Sequence, residues 1–171
     1  MLDGMALELR GDGLILREWT DADVPAMVAL FDEASIDEWT PLETPFDSGA
    51  ATRYLARAGS SRTALQLAIT TDGVAPLGEV LLFPDGETAV VGYAVGLAHR
   101  GAGLAARALR LVMAHAAGTL GARRFVARIA PGNVASEQVA TACGLRLTAE
   151  PLVVREMKGR TVETAVWACR L

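Results

Sequence analysis

The residues of this chain best suited to chemistry form a short glycine-rich turn, Arg100-Gly101-Ala102-Gly103. An apolar segment typical of a strand precedes the turn, and a segment with helical spacing follows it. The first turn of a helix has backbone N–H groups without intrahelical partners, and the helix dipole adds positive character there. Gly101 and Gly103 carry no side chains that would obstruct an anion, and Arg100 adds a full positive charge. The pattern predicts a site for a phosphate-bearing ligand, most readily a pyrophosphate.

The same turn is compatible with further roles, which the rest of the sequence helps to separate. The nucleotide-binding pattern GxxxxGK[ST] does not occur. Gly101-x-Gly103-x-x-Ala106 matches the dinucleotide pattern G-x-G-x-x-A, which also needs an acid at the end of the next strand to bind the ribose hydroxyls. That strand, residues 124–130, contains no acid, so NAD binding is disfavoured. A purely structural alternative is that the glycines let the helix pack closely on a sheet.

The elements that must position this turn follow from hydrophobic periodicity and turn signals. We predict seven strands, over residues 14–19, 64–70, 75–83, 88–97, 125–130, 145–154 and 161–171. Helices are predicted from a Thr20 N-cap through Phe31, and over residues 47–58, 103–117 and 134–143. A loop is predicted over residues 36–45, which contain two prolines. The predicted fold class is α/β, of the α+β type. It is a single domain over residues 1–171, with a mixed, mostly antiparallel seven-stranded sheet and helices on both faces.

Composition narrows the classes of function. The net charge is −4, whereas nucleic-acid binding usually needs a basic excess, so we expect no nucleic-acid partner. No apolar run reaches the ~20 residues that span a bilayer, so no membrane association is expected. Residues 1–10 do not resemble a signal peptide, which favours a cytoplasmic location. Cys143 and Cys169 form no metal-binding pattern, so no metal is expected and buried packing is their predicted role.

A wider set of residues resembles the GNAT acetyltransferase superfamily. Residues 100–105, Arg-Gly-Ala-Gly-Leu-Ala, fit the acyl-CoA signature of that family, [Q/R]-x-x-G-x-[G/A]. Gly92-Tyr93, Asn133-x-x-Ser136 and Gly144-Leu145 extend the match, and the combination is similar to the subgroup of ribosomal-protein N-terminal acetyltransferases. The resemblance is most specific over residues 78–146.

The resemblance implies an acetyl-CoA-dependent N-acetyltransferase and assigns its cofactor-binding residues. Val95, Gly96 and Leu97 would offer backbone groups to the pantetheine arm. The turn would surround the pyrophosphate through six residues: Arg100, Gly101, Ala102, Gly103, Leu104 and Ala105. Asn133 would bind the pantetheine arm and Ser136 would face the thioester sulfur. Taken without the family, Asn133 is equally an ordinary helix N-cap.

The expected reaction is direct attack of an amine on the acetyl group of acetyl-CoA in a ternary complex, without an acyl-enzyme. Many relatives protonate the thiolate with a tyrosine on the helix near residues 134–143. This chain has none there, which leaves Ser136 or water as the acid. Glu38 and Glu87 are our candidates for the base, although a solvated surface acid is the default interpretation of each.

The acceptor is expected to bind between the N-terminal helices and the loop over residues 36–45. Asp37, Glu38 and Glu43 make this region acidic, which favours a small cationic amine or a protein N-terminus. The alternative function is a non-catalytic acyl-CoA-binding or regulatory module on the same fold. An exposed closing strand would allow a homodimer.

Overall fold

The structure, a computed structural model, describes residues 6–59 and 64–171. The prediction that there is no signal peptide depends on residues 1–10, and residues 1–5 lie outside the described ranges. The helices are α1 (Val24–Phe31), α2 (Ala34–Trp39), α3 (Ser48–Gly59), α4 (Leu104–Thr119) and α5 (Val134–Ala142). The strands are β1 (Glu8–Gly11), β2 (Leu14–Glu18), β3 (Leu65–Thr70), β4 (Gly78–Asp85), β5 (Thr88–Val95), β6 (Arg124–Ile129), β7 (Arg146–Leu147), β8 (Val153–Met157) and β9 (Arg160–Arg170).

The nine strands of the described residues form a mixed sheet in the order β1-β2-β3-β4-β5-β6-β9-β7, with β8 paired to β9. Neighbouring strands run antiparallel except β5 and β6, which are parallel. Parallel neighbours need a crossover connection of a dozen residues or more, and α4 provides it. The prediction of a mixed, mostly antiparallel sheet is confirmed.

Helices cover both faces of the sheet, as predicted. Side chains alternate between the two faces of a strand, so β5 contributes Ala89 and Val91 to one hydrophobic cluster and Ala94 to another. The first cluster packs against α4 and α5, and the second against α1, α2 and α3. The site at the end of β5 therefore lies between two packed layers.

The count of strands exceeds the seven predicted for two reasons. Residues 8–11 form β1, an additional edge strand that pairs with β2. The single strand predicted over residues 145–154 is two short strands, β7 and β8. Pro151 lies between them, and a proline has no N–H to donate to a sheet.

The segment predicted as a loop over residues 36–45 begins as a helix. Helix α2 ends at Trp39, just before the first of the two prolines on which the loop prediction depended. The side chain of Glu33 caps it by accepting a hydrogen bond from the Ser35 N–H at 3.2 Å. Glutamate is an uncommon N-cap, which explains why the helix start was missed.

Candidate functional site

Strands β5 and β6 are paired along only part of their length. Their register runs from Thr88 opposite Arg124 to Val91 opposite Ala127, whereas β5 continues to Val95. On its other edge β5 stays paired with β4 to its end, where the N–H of Gly96 donates to the Leu77 carbonyl at 3.1 Å. Backbone groups point alternately to the two edges of a strand. Those of Tyr93 and Val95 therefore point away from β4, into a gap between β5 and β6.

The glycine-rich turn connects the open end of β5 to α4. Gly101 and Gly103 have φ of 82° and 68°, in the left-handed region that glycine adopts without strain. The first backbone hydrogen bond of α4 joins the Arg107 N–H to the Gly103 carbonyl at 3.1 Å, so the N–H groups of residues 104–106 have no intrahelical acceptor. A Cβ placed on either glycine would meet no heavy atom within 4 Å. The turn thus presents backbone amides to open space, and the exposed Ala102 leaves them accessible.

Arg100 links this turn to the opposite layer of the fold. Its Nε donates to the Val95 carbonyl at 3.0 Å, and its Nη2 forms an ion pair with Oε1 of Glu33. Burial raises the pKa of Glu33, but the hydrogen bonds from Ser35 and Arg100 together lower it further, so the carboxyl titrates below its ordinary value of 4.5. The charge of Arg100 is therefore directed at Glu33 in this structure.

The predicted residues on α5 are brought to the other side of the gap, beyond β6. Asn133 caps α5, with its Oδ1 accepting the Ser136 N–H at 3.2 Å. The hydroxyl of Tyr93 donates to the Ser136 carbonyl at 2.7 Å, so the tyrosine ring bridges from β5 to α5. Burial raises the pKa of Tyr93. Tyr93, Asn133 and Ser136 thus lie together, and Asn133 acts at least as the N-cap.

A cavity of about 210 Å³ lies on the α1–α3 side of the site. Its lining includes four carboxylates, Asp32, Glu33, Asp37 and Glu43. The hydrogen bond from Lys158 is the main cause that lowers the pKa of Asp37, and the one from Arg53 does the same for Glu43. Lys158 lies in the turn between β8 and β9, so that turn contacts the cavity wall. The cavity is acidic, and Glu33 connects it to Arg100.

The two candidate bases are exposed side chains, and neither lines the acidic cavity. Glu87 is exposed just before β5, ~20 Å along the strand from Tyr93 at about 3.3 Å per residue. Glu38 is exposed on α2 but does not line the acidic cavity, unlike its neighbour Asp37.

Sequence reasoning missed a buried carboxylate close to the gap. Glu79 on β4 is opposite Ala94 of β5 and is 2% exposed. It accepts a hydrogen bond from the Tyr54 hydroxyl at 2.8 Å, and the Gln66 amide lies at 3.5 Å. Burial raises its pKa to about 7, against the smaller opposing effect of these two donors. The only available signal was a glutamate inside an otherwise apolar strand.

Both cysteines are partly rather than fully buried, and they pack against the first hydrophobic cluster. The Cys143 thiol lies 3.3 Å from the Ala106 carbonyl oxygen, and burial raises its pKa, which makes it a poor nucleophile. Within residues 6–59 and 64–171, no three His, Cys, Asp or Glu side chains are grouped so that they could hold a metal ion. No helix in the same ranges is long and apolar enough to cross a membrane.

Comparison with known families gives one match. The sequence profile described as "Acetyltransferase (GNAT) domain" matches residues 13–146, a range that contains the gap, the glycine-rich turn and α5. No curated protein sequence matches the chain significantly.

Several solved structures share the fold at low sequence identity. RimJ from Mycobacterium smegmatis, solved with CoA-disulfide, has a TM-score of 0.78 and 22% identity, covering 96% of this chain and 86% of its own. Apo RimL, a ribosomal L7/L12 alpha-N-protein acetyltransferase, has a TM-score of 0.81 and 20% identity, covering 98% and 96%. The microcin C7 self-immunity acetyltransferase MccE, solved with acetyl-CoA and AMP, has a TM-score of 0.80 and 17% identity, covering 94% of both chains.

Proposed function

Because the chain belongs to the GNAT acetyltransferase family, whose profile matches residues 13–146, we propose that it is an acetyl-CoA-dependent N-acetyltransferase acting on a primary amine. One observation carries the proposal: the only parallel strand pair among the described strands opens into a gap directly beside a glycine-rich helix N-terminus. In that arrangement an anion site would lie at the end of an unpaired strand edge. It suits a ligand with a diphosphate at one end and an extended amide chain at the other.

The diphosphate of CoA would bind at the turn before α4. The amides of residues 104–106 and the positive end of the helix dipole favour an anion there. The open space above Gly101 and Gly103 accommodates it. Arg100 is close enough in sequence to contribute its charge, once it exchanges Glu33 for the phosphates.

The pantetheine arm would extend along the free edge of β5. An extended ligand can pair with an exposed strand edge through backbone hydrogen bonds. The backbone groups of Tyr93 and Val95 are directed into the gap. The carbonyl of Val95 already accepts from Arg100, which leaves its N–H as the group available to a ligand. The assignments of Gly96 and Asn133 are weaker, because the Gly96 N–H donates to Leu77 and the Asn133 side chain caps α5.

Bound acetyl-CoA supplies an activated acetyl thioester, and the chain supplies position and polarity. An N–H on the edge of β5 can stabilise negative charge that develops on a carbonyl oxygen in the gap. Holding two reactants in the correct geometry can supply on the order of 7–11 kcal/mol of the barrier. The hydroxyl of Ser136 is the side-chain donor we assign to the departing sulfur. We keep Glu38 as a candidate base over Glu87, because only Glu38 is on a helix that borders the acidic cavity.

The acidic cavity is the proposed acceptor site. Its carboxylates favour a cationic amine or a protein N-terminus with basic neighbours. A volume of about 210 Å³ admits the end of an amine-bearing chain rather than a large rigid molecule.

The proposal is tested by binding and by thiol release. Isothermal titration should show CoA binding, and free thiol should accumulate when acetyl-CoA is mixed with a panel of amines and N-terminal peptides. Absence of CoA binding would refute the proposal. Tight CoA binding with no thiol release across the panel would instead support a non-catalytic acyl-CoA-binding module.

A further inference from the structure

Building on the proposed function, on which this inference rests, we propose that Glu33 binds the cationic group of the acceptor, and that Arg100 masks Glu33 until the diphosphate of CoA draws the arginine away. Arg100 would thus act as a switch between the two substrates. Its guanidinium has one negative partner in the free protein and another in the complex with CoA.

Glu33 is placed where both substrates would meet. It lines the acidic cavity and forms the ion pair with Arg100 of the glycine-rich turn. The other carboxylates of the cavity are bonded elsewhere within the described residues. Asp32 accepts from the Phe46 N–H, Asp37 pairs with Lys158, and Glu43 pairs with Arg53 and Arg57. Among the four carboxylates of the cavity, Glu33 is therefore the one that is paired with Arg100 of the glycine-rich turn.

The Glu33 carboxylate would stay in place after Arg100 leaves. Ser35 donates to Oε2 from its N–H at 3.2 Å and to Oε1 from its hydroxyl at 2.6 Å. Both bonds are local to the start of α2 and do not involve Arg100. Loss of the arginine would leave an oriented carboxylate without a countercharge at the edge of the cavity, which favours binding of an ammonium group.

The exchange of partners is favourable for Arg100 because a diphosphate carries more negative charge than one carboxylate and accepts the guanidinium's paired donors. Binding of CoA then increases the affinity for a cation in the cavity. By thermodynamic reciprocity, a cation bound to Glu33 increases the affinity for CoA by the same factor. The two substrates should bind cooperatively.

The test is calorimetric titration of CoA at low salt, with and without saturating 1,5-diaminopentane as a simple cationic probe. In the wild-type protein the diamine should tighten CoA binding several-fold. Glu33→Gln should bind CoA about two- to fivefold more tightly than wild type without the diamine, the range expected for losing one competing, partly exposed ion pair. This variant should also lose the effect of the diamine. Glu150→Gln, which removes an ion pair with Arg124 and lies outside the cavity lining, should keep that effect.

The possible results distinguish the exchange of partners by Arg100 from the proposed function. If the diamine leaves the CoA affinity of the wild type unchanged, or if Glu33→Gln keeps the coupling, the exchange of partners is refuted. The first of these measurements needs no variant, so it stands even if Glu33→Gln is unstable. If the wild type binds no CoA at all, the proposed function fails first, and this inference fails with it.

Discussion

Gly103 combines two features of the proposed phosphate site. It is the N-cap of α4, and its φ of 68° lies in the left-handed region. Any residue with a Cβ is strained there, by roughly 1–2 kcal/mol, but Asn and Asp are tolerated better than others. A test of the charge at this position should therefore compare two residues of equal shape.

We predict that Gly103→Asp weakens CoA binding by at least tenfold more than Gly103→Asn does. Both side chains enter the same open space and impose the same backbone strain, but only the aspartate places a negative charge where the diphosphate would bind. Calorimetric titration of both variants measures the difference. Equal CoA affinities in the pair would place the diphosphate elsewhere.

Glu79 should make the stability of the fold depend on pH. Its pKa of about 7 in the folded state lies above the ordinary value of 4.5, so the folded protein retains a proton that the unfolded chain loses. The stabilisation from this bound proton is complete below about pH 4.5 and is lost as the pH rises through 7. The total change in the free energy of unfolding is on the order of a few kcal/mol. Glu79→Gln cannot titrate. Urea unfolding at pH 5 and pH 8 should show that this variant gains stability relative to wild type at the higher pH, and an equal difference at both pH values would contradict the assignment.

At the residue scale, the sequence allowed predictions about single positions but not about their partners. Gly101 and Gly103 were singled out because they lack side chains, and a Cβ on either would meet no heavy atom within 4 Å, whereas their left-handed backbone was not predicted. The partner of Arg100 could not be predicted, since Glu33 is distant in sequence and lies on a helix that was not expected. Glu79 was missed for a similar reason: its pKa depends on burial and on Tyr54 from another element.

At the scale of elements, the close approach of β4 and β5 holds the open end of β5 in place. Gly78 is opposite Val95, and a Cβ at Gly78 would overlap the Ala94 carbonyl oxygen. A Cβ at Gly92, on the neighbouring strand, would lie 3.4 Å from the nearest atom of Leu81, an ordinary contact.

We therefore predict that Gly78→Ala destabilises the protein by about 1–3 kcal/mol, the usual cost of overpacking, whereas Gly92→Ala changes stability by less than about 1 kcal/mol. Thermal and urea unfolding of the two variants measure the contrast. If both variants unfold like the wild type, the backbones of β4 and β5 are not packed as closely as described.

Elements with strong periodicity were predicted well, and elements that depend on turns and caps were not. The predicted helix over residues 103–117 and the three hairpin-linked strands before it agree with α4 and with β3, β4 and β5. Strand β1 was missed although Asp12-Gly13, a typical hairpin turn, follows it. Its four residues show too little alternation to indicate a strand. Helix α2 was missed because the prolines that follow it favour a loop.

For the whole molecule, the simplest prediction separates CoA from NAD. A ligand that binds only the folded state at 100 times its Kd adds about 2.7 kcal/mol of stability. For a chain of this length that corresponds to a rise of about 5–10 °C in Tm. We expect this rise with CoA and none with NAD at the same concentration, measured by thermal unfolding. The reverse result would favour the dinucleotide interpretation of the glycine pattern.

The overall architecture could be predicted because local patterns and long-range order agreed. Hairpin signals predicted antiparallel neighbours, whereas the crossover from β5 through α4 to the parallel strand β6 was not predicted. The gap itself could not be predicted from periodicity. It arises where pairing between β5 and β6 stops after Val91, and nothing in either strand's hydrophobic pattern marks that point.

Because β5 and β6 are paired over only a short segment, the sheet consists of two parts, one of five strands and one of four, joined along that segment. Two parts joined in this way move most at the end opposite the paired segment, where the Tyr93 hydroxyl links β5 to α5. The amide hydrogens of Tyr93 and Val95 should accordingly exchange with deuterium faster than those of Ala89 and Val91, which face β6 where the two strands are paired. A ligand bound between the two parts should slow amide exchange in β5 and in β6. The ligand would then complete the sheet as well as react within it.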